Sequence, residues 1–207
     1  MVSVPRLLII GERGYCRSDA HWIEQLSCIV SILKQYPTVA LQIRNKYHPK
    51  SWSAVEVLVE EWMNTHPNQC LLNGWVFPTV NCARHLPEAQ LDTAPVSPMV
   101  LFGGSVHSVS ALNKASHFGC HYVQYGAVFT TSKPVVPTGL TSLQAICTAS
   151  AIPVLAVGGI SNSQKIHGCL SAGAYGISIG SWIMQSQNPV SVIDHICEEI
   201  SQFMPNQ

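Results

Sequence analysis

Two glycine-led turns late in the chain carry the residues best suited to hold an anion. Gly158-Gly159 follows the apolar run Pro153 to Val157, and Gly180-Ser181 follows Tyr175 to Ile179. Each turn ends a strand-length segment and opens a helical one, so both offer main-chain N–H groups and a helix N-terminus to a phosphate. The competing reading is that these glycines only make tight turns. Gln42 and Arg44 stand two apart, which puts them on one face of a strand, with Lys46 on the loop beyond. An amide, a guanidinium and an ammonium converging there make an anion site, unless the two cations are solvated or paired with acids. Ser105, His107 and Ser108 fall where a helix is expected to start, and hydroxyls there cap the helix or bind anions. His107 is a base or a structural hydrogen-bonder. The stretch Thr130-Thr131-Ser132-Lys133 sets hydroxyls beside a lysine, a composition suited to phosphate or pyrophosphate.

Strands and helices must alternate to bring these groups together. Short apolar runs at Arg6 to Ile10, Thr38 to Ile43, Gln69 to Leu72, Ala83 to Leu86, Met99 to Phe102, Cys120 to Tyr125, Pro153 to Val157 and Tyr175 to Ile179 read as eight strands. Helical spacing predicts a helix from Ser18 or Asp19 to about Tyr36, one from Ser51 or Ser53 through Trp62, and a short or irregular piece before the fourth strand. Further helices are expected from GGSVHS through Leu112, over Gly139 to Ala151, for about eleven residues from Ser161, from Trp182, and over Pro189 to Phe203. That rhythm means a parallel α/β sheet, and eight units mean closure into a (β/α)8 TIM barrel, a single domain spanning residues 1–207. The rival is an open doubly wound sheet, but the first turn, IIGERG, carries no glycine-rich dinucleotide fingerprint. In a barrel, chemistry sits at the carboxyl ends of the strands, with phosphate after strands seven and eight.

The balance of 11 Lys and Arg against 11 Asp and Glu argues against nucleic acid or an anionic membrane as partner. With only 11% charged residues and no net charge, self-association, for example a homodimer, is expected. No apolar run approaches a membrane span and the first ten residues lack a signal peptide's h-region, so a cytoplasmic protein is the default. The 8 cysteines are scattered without C-x-x-C or zinc spacing and read as reduced and structural. Between Trp62 and Ile193 the only carboxylates are Glu88 and Asp92, which leaves no evident metal set.

The ordered set Gln42-x-Arg44-x-Lys46, Gly104-Ser105-Val106-His107-Ser108, Tyr122-x-x-Tyr125-Gly126-Ala127-Val128-Phe129, Thr131-Ser132-Lys133, Gly139-Leu140, Pro153 to Ile160, and Gly173 to Ile177 with Ser181 resembles the thiamine phosphate synthase and TenI superfamily of (β/α)8 barrels. The resemblance implies a site for thiazole phosphate, a small phosphorylated heterocycle, with the phosphate on Gly158, Gly159, Gly180 and Ser181. In the synthases a pyrimidine methyl diphosphate loses pyrophosphate, and the thiazole nitrogen attacks the carbocation left behind. Gln42, Arg44, Lys46, Ser105 and Lys133 match residues that hold that diphosphate, and Thr131 and Ser132 lie beside them.

The departures point toward the TenI branch. Synthases carry acids serving Mg²⁺ at the end of strand three and soon after the His-Leu of strand four; here stand Asn73-Gly74 and Gln90. The phrase His85-Leu86-Pro87-Glu88 looks more like TenI, a thiazole tautomerase branch that needs neither metal nor diphosphate, so no cofactor is expected. Yet the histidine credited with the tautomerase's proton transfer is Ala127 here, so His107, His121 and His85 become the candidate acids or bases, with Lys133 a further catalytic candidate. The expectation is therefore a TenI-like, metal-independent isomerase. The alternatives are a Mg²⁺-dependent synthase, or a non-catalytic accessory protein that binds the phosphorylated ligand.

Overall fold

The computed structural model describes residues 2–44, 52–73, 82–93 and 100–203. The strands are β1 Leu7–Glu12, β2 Val39–Arg44, β3 Cys70–Asn73, β4 Ala83–Leu86, β5 Phe102–Val106, β6 Tyr122–Tyr125, β7 Val154–Val157 and β8 Gly176–Ile179. Each pairs in parallel with the next, and β1 pairs with β8, which closes the barrel. The helices are α1 Asp19–Ile32, α2 Trp52–Thr65, α3 Val109–His117, α4 Gly139–Ala149, α5 Ser163–Ser171, α6 Ser181–Met184 and α7 Pro189–Ser201. The short helical piece expected before the fourth strand lies outside the described residues.

Alternation along each strand divides the apolar residues into two bodies. Leu8, Ala40, Leu71, Ala83, Leu101, Tyr122 and Leu155 pack together inside the barrel. Their neighbours in sequence, among them Leu7, Ile9, Leu41, Ile43 and Val154, pack outward against Trp22, Leu26 and Ile29 of α1, Ile166 of α5 and Ile193 of α7. A strand buried on both faces must be apolar at nearly every position, and β1 is buried throughout. The inner body fills the amino end of the barrel, with Val2, Val4, Val100 and Tyr175 against it. Toward the carboxyl end the inward positions turn polar: Glu12, Gln42, His85, Gln124 and Ser178 are all buried.

Helix starts follow local chemistry. Ser18 caps α1 by accepting from His21 N–H, Ser108 caps α3 through Ala111 N–H, and Asn188 caps α7 ahead of Pro189. α5 begins at Ser163 with Asn162 as its cap, two residues beyond the expected start, because the Asn162 side chain reaches Lys165 N–H at 3.0 Å. α1 gives way at Leu33 to a 3-10 turn over Leu33–Gln35.

One boundary differs more. The segment expected to open a helix, Gly103 to Val106, is strand. Gly103 faces into the barrel beside Tyr122, and a Cβ there would lie 2.2 Å from the Tyr122 ring. Gly104 faces outward, where a Cβ would meet Leu91 at 2.3 Å. The glycine pair therefore makes room for large neighbours on both faces of β5 and does not end it. Gly103→Ala is expected to destabilise the fold by about 1–3 kcal/mol through overpacking. Gly14→Ala, where the nearest atom to a new Cβ is 3.7 Å away, is expected to change it by less than about 0.5 kcal/mol. Urea unfolding midpoints of the two variants check the contrast.

Candidate active site

The polar upper layer of the barrel opens at the carboxyl ends of the strands, where the sequence places its candidate groups. Gln124 Nε2 donates to Gln42 Oε1 at 2.9 Å and lies 3.1 Å from Ser178 Oγ, which ties β6 to β2 and β8 across the barrel. Gln42 is thus held by an amide the sequence analysis did not single out; Gln124 and Ser178 are visible only once the inward face of each strand is known.

Glu12, Arg44, Asn73 and His85 are successive register partners around one arc of the rim. Arg44 Nη1 donates to Glu12 Oε2, forming an ion pair in which Arg44 is 23% and Glu12 6% exposed at the side chain. Arg44, a candidate for an anion site, shares its charge with a carboxylate, the pairing weighed as its alternative. Glu12 escaped notice because GERG reads as a polar loop, whereas β1 continues through Glu12 and buries it. Lys46 lies outside the described residues.

The Gly158-Gly159 turn forms one structure with the loop that follows β6. Val128 N–H donates to Val157 O at 2.9 Å and Phe129 N–H to Gly158 O at 3.0 Å. Gly158 and Gly159 take φ of +99° and +71°. A Cβ on Gly158 would lie 2.5 Å from Ala127 Cα, and one on Gly159 2.4 Å from Thr130 O. Only glycine tolerates both the dihedral and the approach. Lys165, from the first turn of α5, donates to Gly159 O at 2.7 Å and sits 3.3 Å from Ser161 Oγ. It adds a positive charge beside the turn that sequence reasoning missed, because four residues past Ser161 it reads as an exposed helix position. Beside it, Gly180 precedes Ser181 at the start of α6, whose first N–H groups have no partner within the helix. A Cβ on Gly180 would strike the Tyr15 ring at 2.5 Å, so the loop after β1 closes on this turn as well.

The loop from Gly126 to Gly139 is clasped at its base, where Thr138 N–H reaches Ala127 O at 2.8 Å and Gly139 N–H reaches Val128 O at 3.1 Å. At its tip, Thr131 Oγ1 accepts from Lys133 N–H at 3.2 Å. That hydroxyl shapes the turn carrying Lys133, while Ser132 and Lys133 are exposed.

The histidines separate cleanly. His107 follows β5 at the rim; its main-chain N–H donates to Glu88 Oε2 at 2.8 Å, and its Nδ1 lies 3.1 Å from Gly126 O. A carbonyl only accepts, so Nδ1 carries a proton toward it, and Nε2 is the nitrogen turned away from that contact. His121 sits at the opposite end: its N–H donates to Phe102 O at 2.8 Å and its Nδ1 accepts Phe102 N–H at 3.1 Å. It clasps the amino ends of β5 and β6, which takes it away from the rim and from the acid/base role expected of it. His85 is fully buried between Tyr122 OH at 3.0 Å and Ser105 Oγ at 2.9 Å. Burial, aided by the Arg44 charge, lowers its pKa to about 3, so it stays neutral. Ser105 is therefore a strand residue held by His85, while Ser108 is the helix cap.

Every Asp and Glu of the chain falls on a described residue. Near the rim, Glu88 is engaged by His107 and Glu12 by Arg44, while Asp92 meets Lys114 Nζ at 3.3 Å in an exposed ion pair. Among the described residues no group of three or more His, Cys, Asp or Glu is placed to hold a metal ion. β3 ends in Asn73. These residues do not fit a Mg²⁺ site of the kind the synthase resemblance implies.

A buried neutral histidine makes stability depend on pH in a definite direction. The unfolded chain takes up a proton near pH 6.5 that the folded chain refuses until about 3, so stability is present above the first value and falls as pH drops between them. The slope contributed is at most about 1.36 kcal/mol per pH unit. His85→Gln, which does not titrate, is expected to flatten this part of the dependence, as urea unfolding at a series of pH values between neutrality and pH 4 (about the start of carboxylate titration) checks.

The family model described as thiamine monophosphate synthase matches residues 79–183. A thiamine-phosphate synthase of Methanococcus maripaludis is 26% identical over 122 residues, 55% of this chain and 58% of that protein. One of Roseiflexus castenholzii is 33% identical over 110 residues, 52% of this chain and 48% of that protein. The match thus spans about half the length of these curated relatives. In three dimensions the chain superposes on the thiamine phosphate pyrophosphorylase of Pyrococcus furiosus with a TM-score of 0.74, 20% identity and 97% coverage of each chain, a likeness of fold. No helix among the described residues is long and apolar enough to cross a membrane. With the closed barrel, the ordered motifs and a family match over half its length, this chain belongs to the thiamine monophosphate synthase and TenI family.

Proposed function

We propose that this protein joins a thiazole phosphate to a pyrimidine carried as its methyl diphosphate, the reaction for which its curated relatives are named. The observation that carries the reading is the double glycine turn at the ends of β7 and β8, where side chains are excluded at Gly158 and Gly159 and Lys165 adds positive charge. It is a cradle for the thiazole's phosphate. The pyrimidine's diphosphate lies across the rim toward Gln42, Arg44, Ser105 and the loop bearing Lys133. The C–O bond to the diphosphate breaks, pyrophosphate leaves with the electron pair, and the thiazole nitrogen's lone pair forms the new C–N bond to the ring's methylene carbon. The protein contributes orientation and fixed dipoles around the departing anion. The isomerase preference drawn from the missing acids gives way here, because the relatives named are synthases.

A second reading keeps one observation of its own. His107 holds its proton on Nδ1 and leaves Nε2 as a base at the rim, which suits proton transfer within a carboxythiazole phosphate.

Purified protein given both phosphorylated substrates, with and without Mg²⁺, is expected to form thiamine phosphate. Gly159→Ala is expected to lower kcat/KM by at least about tenfold, mainly through KM for the thiazole phosphate, since an added methyl strikes Thr130 O and Phe129 and so displaces the turn whose N–H groups form the cradle. Binding of thiazole phosphate without coupling, together with isomerisation of the carboxythiazole phosphate that His107→Ala abolishes, would select the second reading.

A further inference from the structure

Three side chains join the apolar floor of the barrel to its rim, and burial fixes which of them donate. Tyr122 OH lies 3.0 Å from His85 Nδ1, and His85 Nε2 lies 2.9 Å from Ser105 Oγ. Tyr122 and His85 are fully buried, while Ser105, in register with Gln124, is only half-buried at the rim. Neither the phenol nor the imidazole has a further side-chain hydrogen-bond partner among the described residues.

A neutral imidazole holds one N–H, on Nδ1 or on Nε2. Burial pushes the Tyr122 hydroxyl well above its ordinary range, so the phenol keeps its proton. Burial, aided by the Arg44 charge, holds His85 at about 3, so the ring stays neutral. Were the ring proton on Nδ1, Tyr122 would have to accept it, and the phenol O–H would be buried without an acceptor. Leaving a buried donor unmet costs more than a typical hydrogen bond gains. With the phenol donating to Nδ1, the proton sits on Nε2 and is given to Ser105 Oγ. The serine's own O–H is then free at the rim.

We propose that Tyr122 and His85 are positioning residues that set the direction of this chain, so that the Ser105 O–H is kept for a ligand and not given to His85. The matching group is one that only accepts, an unprotonated phosphoryl oxygen. Its assignment to the diphosphate rests on the coupling reading. Binding feeds back along the chain, because hydrogen bonds in series polarise one another: a serine donating to an anion becomes a better acceptor for Nε2–H.

Long-range nitrogen–proton correlation spectra of ¹⁵N-labelled protein near neutral pH read the direction, with the His85 ring assigned through its backbone resonances. A protonated Nε2 and an unprotonated Nδ1 are expected. A proton on Nδ1 overturns the proposal without recourse to any variant. Saturation with inorganic pyrophosphate is expected to move the Nε2–H proton downfield. Ser105→Ala is expected to abolish that movement and to weaken pyrophosphate binding at least about tenfold, as a hydrogen bond to a charged group supplies. No saturable binding, an unmoved Nε2–H proton, or equal affinity in a folded Ser105→Ala, judged by its thermal transition, overturns the proposal as well.

Tyr122→Phe keeps the ring and removes the phenol donor. Each tautomer of His85 then leaves one buried group unpaired, so the proton is expected to divide between the two nitrogens and average their shifts. A folded Tyr122→Phe that keeps a single Nε2–H tautomer overturns the part assigned to Tyr122. The expected tautomer and pyrophosphate response in a protein that couples no thiazole phosphate would defeat the coupling reading and leave the positioning roles standing. Coupling by a protein whose His85 carries its proton on Nδ1 would do the reverse.

Discussion

The space inside a small parallel barrel is limited, and in this protein one side chain decides how it is shared. Tyr122 fills the inner apolar body from β6 and takes the place a side chain on Gly103 would occupy. Its hydroxyl marks the height at which the interior changes from apolar to polar, and there it meets His85. His85 in turn reaches Ser105. The packing of the floor is thus coupled to a polar group at the rim through a chain of neutral hydrogen bonds. Because none of the three partners carries a charge near neutral pH, the chain holds Ser105 in position without adding charge to the rim.

Charge at the rim is used sparingly. Arg44 is spent partly on Glu12, and the carboxylates near the mouth are each engaged. In the proposed function, main-chain donors and a lysine therefore carry the larger share of anion recognition, through the turns at Gly158-Gly159 and Gly180-Ser181 and through Lys165. Dipoles fixed by packing lose little on binding, since Gly159 is wedged against Thr130 and Gly180 against Tyr15 before any ligand arrives. The loop after β6 locks onto the turn after β7, and the loop after β1 packs on the turn after β8, so each turn is shaped by a neighbouring loop of the barrel.

The strand rhythm was legible because each strand is an uninterrupted apolar run bounded by turn residues, and eight of them permit closure. The glycine turns were legible for the same reason: Gly158-Gly159 and Gly180-Ser181 stand at strand ends. Less could be read where glycine has a packing role, since Gly103-Gly104 looks like a break until Tyr122 and Leu91 are seen on either side. His121 and His107 are both histidines next to strands, and only the direction of the strands sends one to the floor and the other to the rim. Glu12 was hidden by a local pattern, GERG, whose charges suggest a solvated loop although the first of them is buried. Pairing across strands, such as Gln124 with Gln42, depends on register, and one chain read by itself does not reveal register.

The account depends most on the cradle as the place where the phosphorylated ring is held. Titration of isotopically labelled protein with thiazole phosphate, followed through amide chemical shifts, tests it directly. Large, saturable shifts confined to Gly158, Gly159, Gly180, Ser181 and their immediate neighbours are the predicted result. Saturable shifts elsewhere on the barrel, with these amides unmoved, would contradict it.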